Sequence, residues 1–237
     1  MNPTVSLAIQ ALTDVSRFLL GSIDQVRPKG NKSANLSNYF ASVRSGADQI
    51  LAEKLANAAR LSELSWQFDM LGQLNYGLHN HPDYFLSLFI RKKDKPYAAL
   101  IYNPLTQDVY SAVIGLGAYA NTKRIRLTKK PYSDQAIVSF DRTALLKYQP
   151  YKAFTCWTVT GSPMLDIVRL ASGAVDGLVI AQLNTIQLNV ARLLLQESGG
   201  LVELLEQTDT DADAPMHGLI AANQYFLARL KTVLCPL

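Results

Sequence analysis

Along residues 4–23 the apolar side chains Val5, Leu7, Ala8, Leu12, Val15, Leu19 and Leu20 return every three or four positions, the period of a helix with one buried face. Gly21 follows the last of them and is expected to stop that helix. A polar stretch over residues 27–35 turns the chain, and a second helical run is expected from about Ala41 through Ala47, Ile50, Leu51 and Leu55 to Leu64. The period then shortens. Residues 84–91, 97–102 and 108–112 are short, aromatic and β-branched, and are separated by polar or proline-containing breaks at 93–96 and 103–106. They predict antiparallel strands on tight connections, and residues 115–119 and 124–127 extend that sheet. Beyond residue 135 the pattern alternates, with strands expected over 136–140, 152–156, 178–181 and 218–222 and helices over 163–172, 185–198 and 224–234. No internal repeat interrupts it, and residues 208–213 read as an acidic loop.

Composition narrows the class. A chain of 237 residues that is 49% hydrophobic and 18% charged can bury a core as one large domain or two small ones. That excludes a disordered regulator, a collagen-like fibre and a disulfide-stapled miniprotein. The net charge of +4 is mild, but it is uneven: residues 91–152 hold twelve Lys or Arg against four Asp or Glu, whereas residues 153–237 hold four against eight. Cys156 and Cys235 are the only thiols, too few and too far apart for a metal knuckle or a disulfide framework. No basic segment followed by an apolar run opens the chain, and no stretch reaches the ~18 uninterrupted apolar residues of a membrane span. A cytoplasmic protein with no membrane partner is expected.

Two stretches carry a more specific signal. Residues 101–127 contain Asn103-Pro104, Asp108, Tyr110, then Gly115-Leu-Gly-Ala118 and Asn121 in that order. Residues 161–177 read Gly-Ser-Pro-Met-Leu-Asp-Ile-Val-Arg-Leu-Ala-Ser-Gly-Ala-Val-Asp-Gly, followed by Gln196-Glu-Ser-Gly-Gly200 and Ala221-Ala-Asn223. In residue type and spacing these resemble the inositol monophosphatase family across nearly the whole chain. The resemblance implies an α/β (α+β) fold, a layered α-β-α-β-α sandwich. It also implies a single domain over 1–237, with two helices and an antiparallel sheet in 1–134 and an α/β half in 135–237. In working members it further implies a cytosolic homodimer and a magnesium-dependent, lithium-sensitive phosphomonoesterase. Such enzymes gather carboxylates around two or three Mg²⁺ ions, which activate water and neutralise the phosphoryl oxygens.

Position by position, that metal set is depleted. The family signature Asp-Pro-Ile-Asp-Gly-Thr-x-Asn is matched by residues 68–75, which place Phe68 and Leu71 at the two aspartates when Gly72 and Asn75 are anchored. A one-residue gap moves Asp69 onto the first aspartate but cannot restore the second, and Gln73 stands where a threonine would position water. Upstream, Ala41 and Arg44 replace the family's threonine and aspartate, and the loop that supplies a metal glutamate is missing between the second helix and the signature. Near the C-terminus, Ile186-Gln187 replaces Trp-Asp, and Ile180 falls at a substrate-contacting glutamate. The vestigial pocket is therefore expected at Arg44, Asp69, Leu71, Gly72, Gln73, Gly161, Ser162, Ile180 and Gln187, with no metal, no cofactor and no catalytic residue. Arg44 is expected to pair with Asp69.

Other features admit two readings each. His79, His81 and Asp83 resemble a zinc-ligand run, or form the loop entering the first strand. Cys156 and Cys235 read as core filling and surface tail rather than nucleophiles. Ser162 reads as a helix cap, with a residual anion contact as the other reading. The cations Arg91, Lys92, Lys93, Lys95, Lys123, Arg124, Arg126, Lys129 and Lys130 read either as a solvated strand edge or as a surface for an anionic partner, an RNA or an acidic protein. Some family members act in bacterial ribosomal-RNA transcription, which the resemblance brings to the second reading. The function expected is a catalytically inactive, phosphatase-like protein that works as a binding or scaffolding subunit. The alternative is a phosphomonoesterase, acting on an inositol phosphate or a nucleotide 3′-phosphate, with a metal site rebuilt from Asp48, Asp69, His79, His81 and Asp83.

Overall fold

Gly21 does not end the first helix. In the computed structural model, which describes residues 2–26, 33–70, 79, 81–131, 133–149, 153–205 and 216–234, helix α1 spans Pro3–Val26. A side chain at Gly21 would meet nothing within 4 Å, so this glycine faces open space and costs the helix about 1 kcal/mol relative to alanine. Burial of Val5, Ala8, Leu12, Val15 and Leu19 along the other face outweighs it. The chain divides into two compact units, Met1–Val109 and Tyr110–Leu237.

In the first unit, α2 covers Ser33–Ser62 and starts well before Ala41, because nothing between Ser33 and Phe40 breaks a helix and Tyr39 donates its hydroxyl to the Ser22 carbonyl of α1. Lys54 of α2 reaches Asp14 of α1 at 2.6 Å, and this hydrogen bond is the main reason the Asp14 carboxyl lies below its ordinary range. The second helix stops short of Leu64. Glu63, with φ 51°, turns the chain directly into an unpredicted strand, β1 (Leu64–Asp69). Its apolar alternation at 64, 66 and 68 is only six residues long and abuts a helix, which masks the change of period. Strand β1 pairs antiparallel with β2 (Leu86–Lys92), from Leu64↔Lys92 to Asp69↔Ser87, and β2 pairs with β3 (Lys95–Tyr102). Lys93 and Asp94 both adopt positive φ in the β2–β3 turn, the conformation that suits the strand twist of a tight hairpin.

The second unit opens with an antiparallel run of β4 (Val109–Val113), β5 (Gly117–Ala120) and β6 (Lys123–Ile125). A second sheet follows, built from β7 (Ile137–Phe140), β8 (Cys156–Thr158), β9 (Gly177–Leu183), β10 (Leu201–Leu205) and β11 (His217–Ala222) in the order β10-β11-β9-β7-β8. Strand β7 is parallel to β8 and β9, and the remaining pairs are antiparallel. Helices α3 (Arg142–Tyr148), α4 (Pro163–Ala171), α5 (Thr185–Glu197) and α6 (Leu227–Leu234) accompany it. Val138, Phe140, Val179, Ile220 and Ala222 from the strands pack with Phe154, Phe226 and Leu230 in one buried cluster.

Two expectations for this unit are corrected, and two elements, α3 and β10, are added. The strand expected over 152–156 begins at Cys156. Helix α3 has seven residues, too few to show a period, although its Asp141 cap is a start signal. Strand β10 follows two glycines with little alternation to mark it. The last helix begins at Leu227 rather than Gln224, because the Asn223 side chain accepts the backbone N–H groups of Tyr225 and Phe226 and holds a turn there. The acidic run 208–213, Cys235 and the pocket positions Leu71, Gly72 and Gln73 lie outside the described residues.

Candidate functional site

In the first unit the described pocket positions are Arg44 on α2 and Asp69 at the end of β1. Phe68 and Met70 are buried beside Asp69, which is 7% exposed. Arg44 does not pair with Asp69. Its Nε donates to Asp48 at 3.0 Å and its Nη2 to the Phe68 carbonyl at 2.6 Å, while the guanidinium carbon sits 5.7 Å from the Phe68 ring centre. The reason is helical geometry: Asp48 lies one turn from Arg44 on α2, so the side chain is claimed locally. Tyr84, fully buried, donates to the Met70 carbonyl at 3.4 Å, and burial, with the Asp69 charge second, pushes its hydroxyl well above the usual range. Glu63 alone separates α2 from β1, so no loop intervenes there to bring a further carboxylate.

In the second unit Ser162 caps α4, its hydroxyl accepting the Leu165 N–H at 3.4 Å, and Gly161 precedes it at φ 78°. The helix-cap reading of this pair is the one observed. Asp166, in the first turn of the same helix, is fully buried. Its Oδ1 accepts from the Ser139 hydroxyl at 2.6 Å, whereas its Oδ2 has no hydrogen-bond partner. Burial pushes this carboxyl up to about 6, with the hydrogen bond from Ser139 opposing. Asp141 accepts from the N–H groups of Ala144, Ala181 and Gln182, tying the start of α3 to β9. Burial raises this carboxyl too, against those three bonds. Ile180 is fully buried in the middle of β9, opposite Leu219. Gln187 belongs to the capping box of α5: its Oε1 accepts the Asn184 N–H at 3.2 Å, and its own N–H donates to Asn184 Oδ1 at 2.9 Å.

These observations bear on the magnesium that the resemblance implies. A hard dication needs several oxygen ligands. In the first unit the described positions offer a guanidinium hydrogen-bonded to a carbonyl, a buried hydrocarbon side chain at Phe68, and one carboxylate, Asp69. This donor set does not fit Mg²⁺. The rebuilt set fares no better: His79 is exposed, His81 and Asp83 hydrogen-bond within their own turn, and Asp48 holds Arg44. Among the described residues no three His, Cys, Asp or Glu side chains are placed to hold a metal ion. Cys156 is half-buried and unbridged on the edge strand β8.

The expected basic surface resolves into two groups, one in each unit. In the first, Arg91 lies 5.9 Å from the Phe89 ring centre, Lys92 lies 5.5 Å from that of Tyr97, and Lys93 reaches Glu63 at 3.7 Å. Lys95 is exposed on the same hairpin. In the second, Lys123, Arg124, Arg126, Lys129 and Lys130 are all exposed. Sequence reasoning missed four buried or clasping residues: Ser139, Asp141, Asp166 and Glu197. Glu197 Oε1 and Oε2 accept the N–H groups of Gly115 and Gly117, each at 2.8 Å. The signal for that clasp was the Gly-x-Gly spacing, since both glycines adopt positive φ, which side chains disfavour.

Comparison with known proteins adds an independent line. Residues 75–235 match the model of the inositol monophosphatase family. The SuhB protein of Neisseria meningitidis serogroup B is 26% identical over 262 aligned residues, covering 99% of this chain and 98% of that protein. The Nus factor SuhB of Pasteurella multocida is 21% identical over 227 residues, 85% of each chain. The crystal structure of extragenic suppressor protein suhB from Bartonella henselae superposes with a TM-score of 0.78 at 19% identity, over 99% of both chains. The layered α+β fold expected from the sequence is the fold observed. Among the described residues no helix is long and apolar enough to cross a membrane.

Proposed function

Because the chain belongs to the inositol monophosphatase family, we propose that it is a non-catalytic member, a pseudophosphatase that serves as a binding or scaffolding subunit; its similarity to proteins named Nus factor SuhB supports a role of that kind. The observation that carries this reading is the engagement of Arg44. A cation stands where the resemblance aligns a metal carboxylate, and it is held by hydrogen bonds to Asp48 and to the Phe68 carbonyl. A dication drawn to Asp69 would meet like charge next to a single carboxylate, where transition-state stabilisation by metal requires several oxygens. The family dimer belongs to the same proposal, with a protein or RNA as the further partner.

The test is hydrolysis of a broad phosphomonoester panel that includes inositol 1-phosphate and nucleotide 3′-phosphates, with millimolar Mg²⁺. No turnover above buffer is expected. Saturable Mg²⁺-dependent turnover that disappears in Asp69→Ala would overturn the proposal in favour of a working phosphomonoesterase.

A further inference from the structure

We propose that a cavity in the second unit binds a nucleoside phosphate, either free or as a link of single-stranded RNA. The cavity has a volume of about 580 Å³, and its walls include Arg124, Arg126, Lys129, Leu201, Asn223 and Tyr225. That volume falls in the range of small-molecule sites. Three features of its lining select the ligand.

The first is an excess of positive charge, three cations against one carboxylate. Arg124, Arg126 and Lys129 are exposed, and among the described residues none of them pairs with a carboxylate. The one carboxylate on the wall, Glu197, has both oxygens taken by the hairpin N–H groups of Gly115 and Gly117. Planar guanidinium forks match phosphate oxygens, and a lysine adds a point charge. The basic group of the first unit differs, because Arg91, Lys92 and Lys93 are engaged with its own rings and with Glu63.

The second is an aromatic rim. Tyr225 is 56% exposed and Leu201 is 48% exposed, so a ring and an apolar side chain face solvent where core packing does not call for them. Every base has a π face, and stacking on an exposed ring favours binding whatever the base. Inorganic phosphate would use the cations and ignore the ring. A nucleoside phosphate uses both.

The third is that the cationic and aromatic parts are fixed relative to each other. Asn223, 4% exposed, donates Nδ2 to the carbonyls of Thr128 at 3.0 Å and Lys130 at 2.8 Å, on either side of Lys129. Its Oδ1 accepts the N–H groups of Tyr225 at 2.9 Å and Phe226 at 3.0 Å. One buried amide thus sets the spacing of Lys129 from Tyr225. On the hairpin side, a side chain at Gly117 would strike the Arg124 guanidinium at 2.8 Å, so the glycine is what allows Arg124 to lie across the turn. Such pre-organisation lowers the ordering cost of binding.

The proposal does not depend on the absence of catalysis, and its test reads binding alone. A short fluorescein-labelled single-stranded RNA is titrated at low salt by anisotropy, and AMP and GMP are titrated by calorimetry. Saturable binding of at least one probe is expected. Displacement of the RNA by free nucleotide identifies a mononucleotide site, whereas steep salt dependence without displacement identifies the RNA strand. The triple variant R124Q/R126Q/K129Q should weaken binding at least ~10-fold. Tyr225→Ala should weaken it about 5-fold or more, with Tyr225→Phe near the parent. The charge-matched R91Q/K93Q/K95Q should change it less than about 2-fold. All these changes but Arg91→Gln, which is half-buried, are at exposed positions, and melting curves verify folding. Absence of saturable binding to both probes, equal losses in the two triple variants, or a silent Tyr225→Ala would overturn the proposal.

Discussion

Arg44 donates to the backbone carbonyl of Phe68 at 2.6 Å and sits 5.7 Å from the centre of the Phe68 ring, so one cation secures the end of β1 by charge-assisted hydrogen bond and by cation–π contact. Its partner Asp48 is half-exposed, and exposed ion pairs contribute little. Arg44→Ala is therefore expected to lower stability by about 1–2 kcal/mol, and Asp48→Ala by no more than about 0.5 kcal/mol. Urea unfolding of the two variants checks this, and equal effects would contradict it.

The second prediction concerns Asp166, whose buried carboxyl is pushed up to about 6 from an ordinary value of 3.8. Between those values the folded state holds a proton that the unfolded state has released, so this group's contribution falls as pH rises from about 4 to 6. Above that window the charged form carries its full burial penalty. Asp166→Asn keeps an acceptor for Ser139 and removes the charge, so it should stabilise the protein at pH 7 by up to about 3 kcal/mol. At about 2–4 °C per kcal/mol the melting temperature rises by several degrees. The gain should vanish near pH 4. A difference independent of pH would contradict the buried-acid assignment.

Glu197 clasps the hairpin turn through Gly115 and Gly117 from the last residue of α5. A carboxylate at a helix C-terminus opposes the macrodipole, so the clasp offsets a local cost. Glu197→Ala leaves both N–H groups without that partner and is expected to cost about 1–3 kcal/mol. Hydrogen exchange at Gly115 and Gly117 should accelerate while the amides of β11 stay protected. Unchanged exchange at the two glycines would contradict the clasp.

Most of the fold was legible because strands β2 to β5 and helices α4 and α5 carry both a clear period and turn chemistry. What escaped was short or adjacent to a stronger signal: β1 abuts α2 through a single residue, and the seven residues of α3 make barely two turns. Gly21 misled because a stop signal in the sequence yielded to burial on the opposite helix face. At the proposed site, the residue types could be compared with the family signature position by position, but partner choice could not be read. Arg44 prefers a residue one turn away and a carbonyl to Asp69, and only the geometry of α2 and β1 shows it. The Asp166–Ser139 pair joins residues far apart in sequence, and no local pattern announces it.

Oligomeric state follows from the family reading. Light scattering at micromolar concentration is expected to give twice the chain mass of 26.1 kDa, across moderate salt. A mass of one chain throughout would contradict the dimer.

The central claim is that the pocket does not hold the family's magnesium, and a melting titration tests it most directly. A ligand that binds only the folded state stabilises it by about 2.7 kcal/mol at ~100 times its Kd, which for a chain of this size is a shift of several degrees. With Arg44 engaged at the Phe68 carbonyl beside the single carboxylate Asp69, no shift is expected with millimolar Mg²⁺, Mn²⁺ or Ca²⁺, with or without lithium and inositol phosphate. A saturable Mg²⁺-dependent rise that is abolished by Asp69→Ala would contradict it.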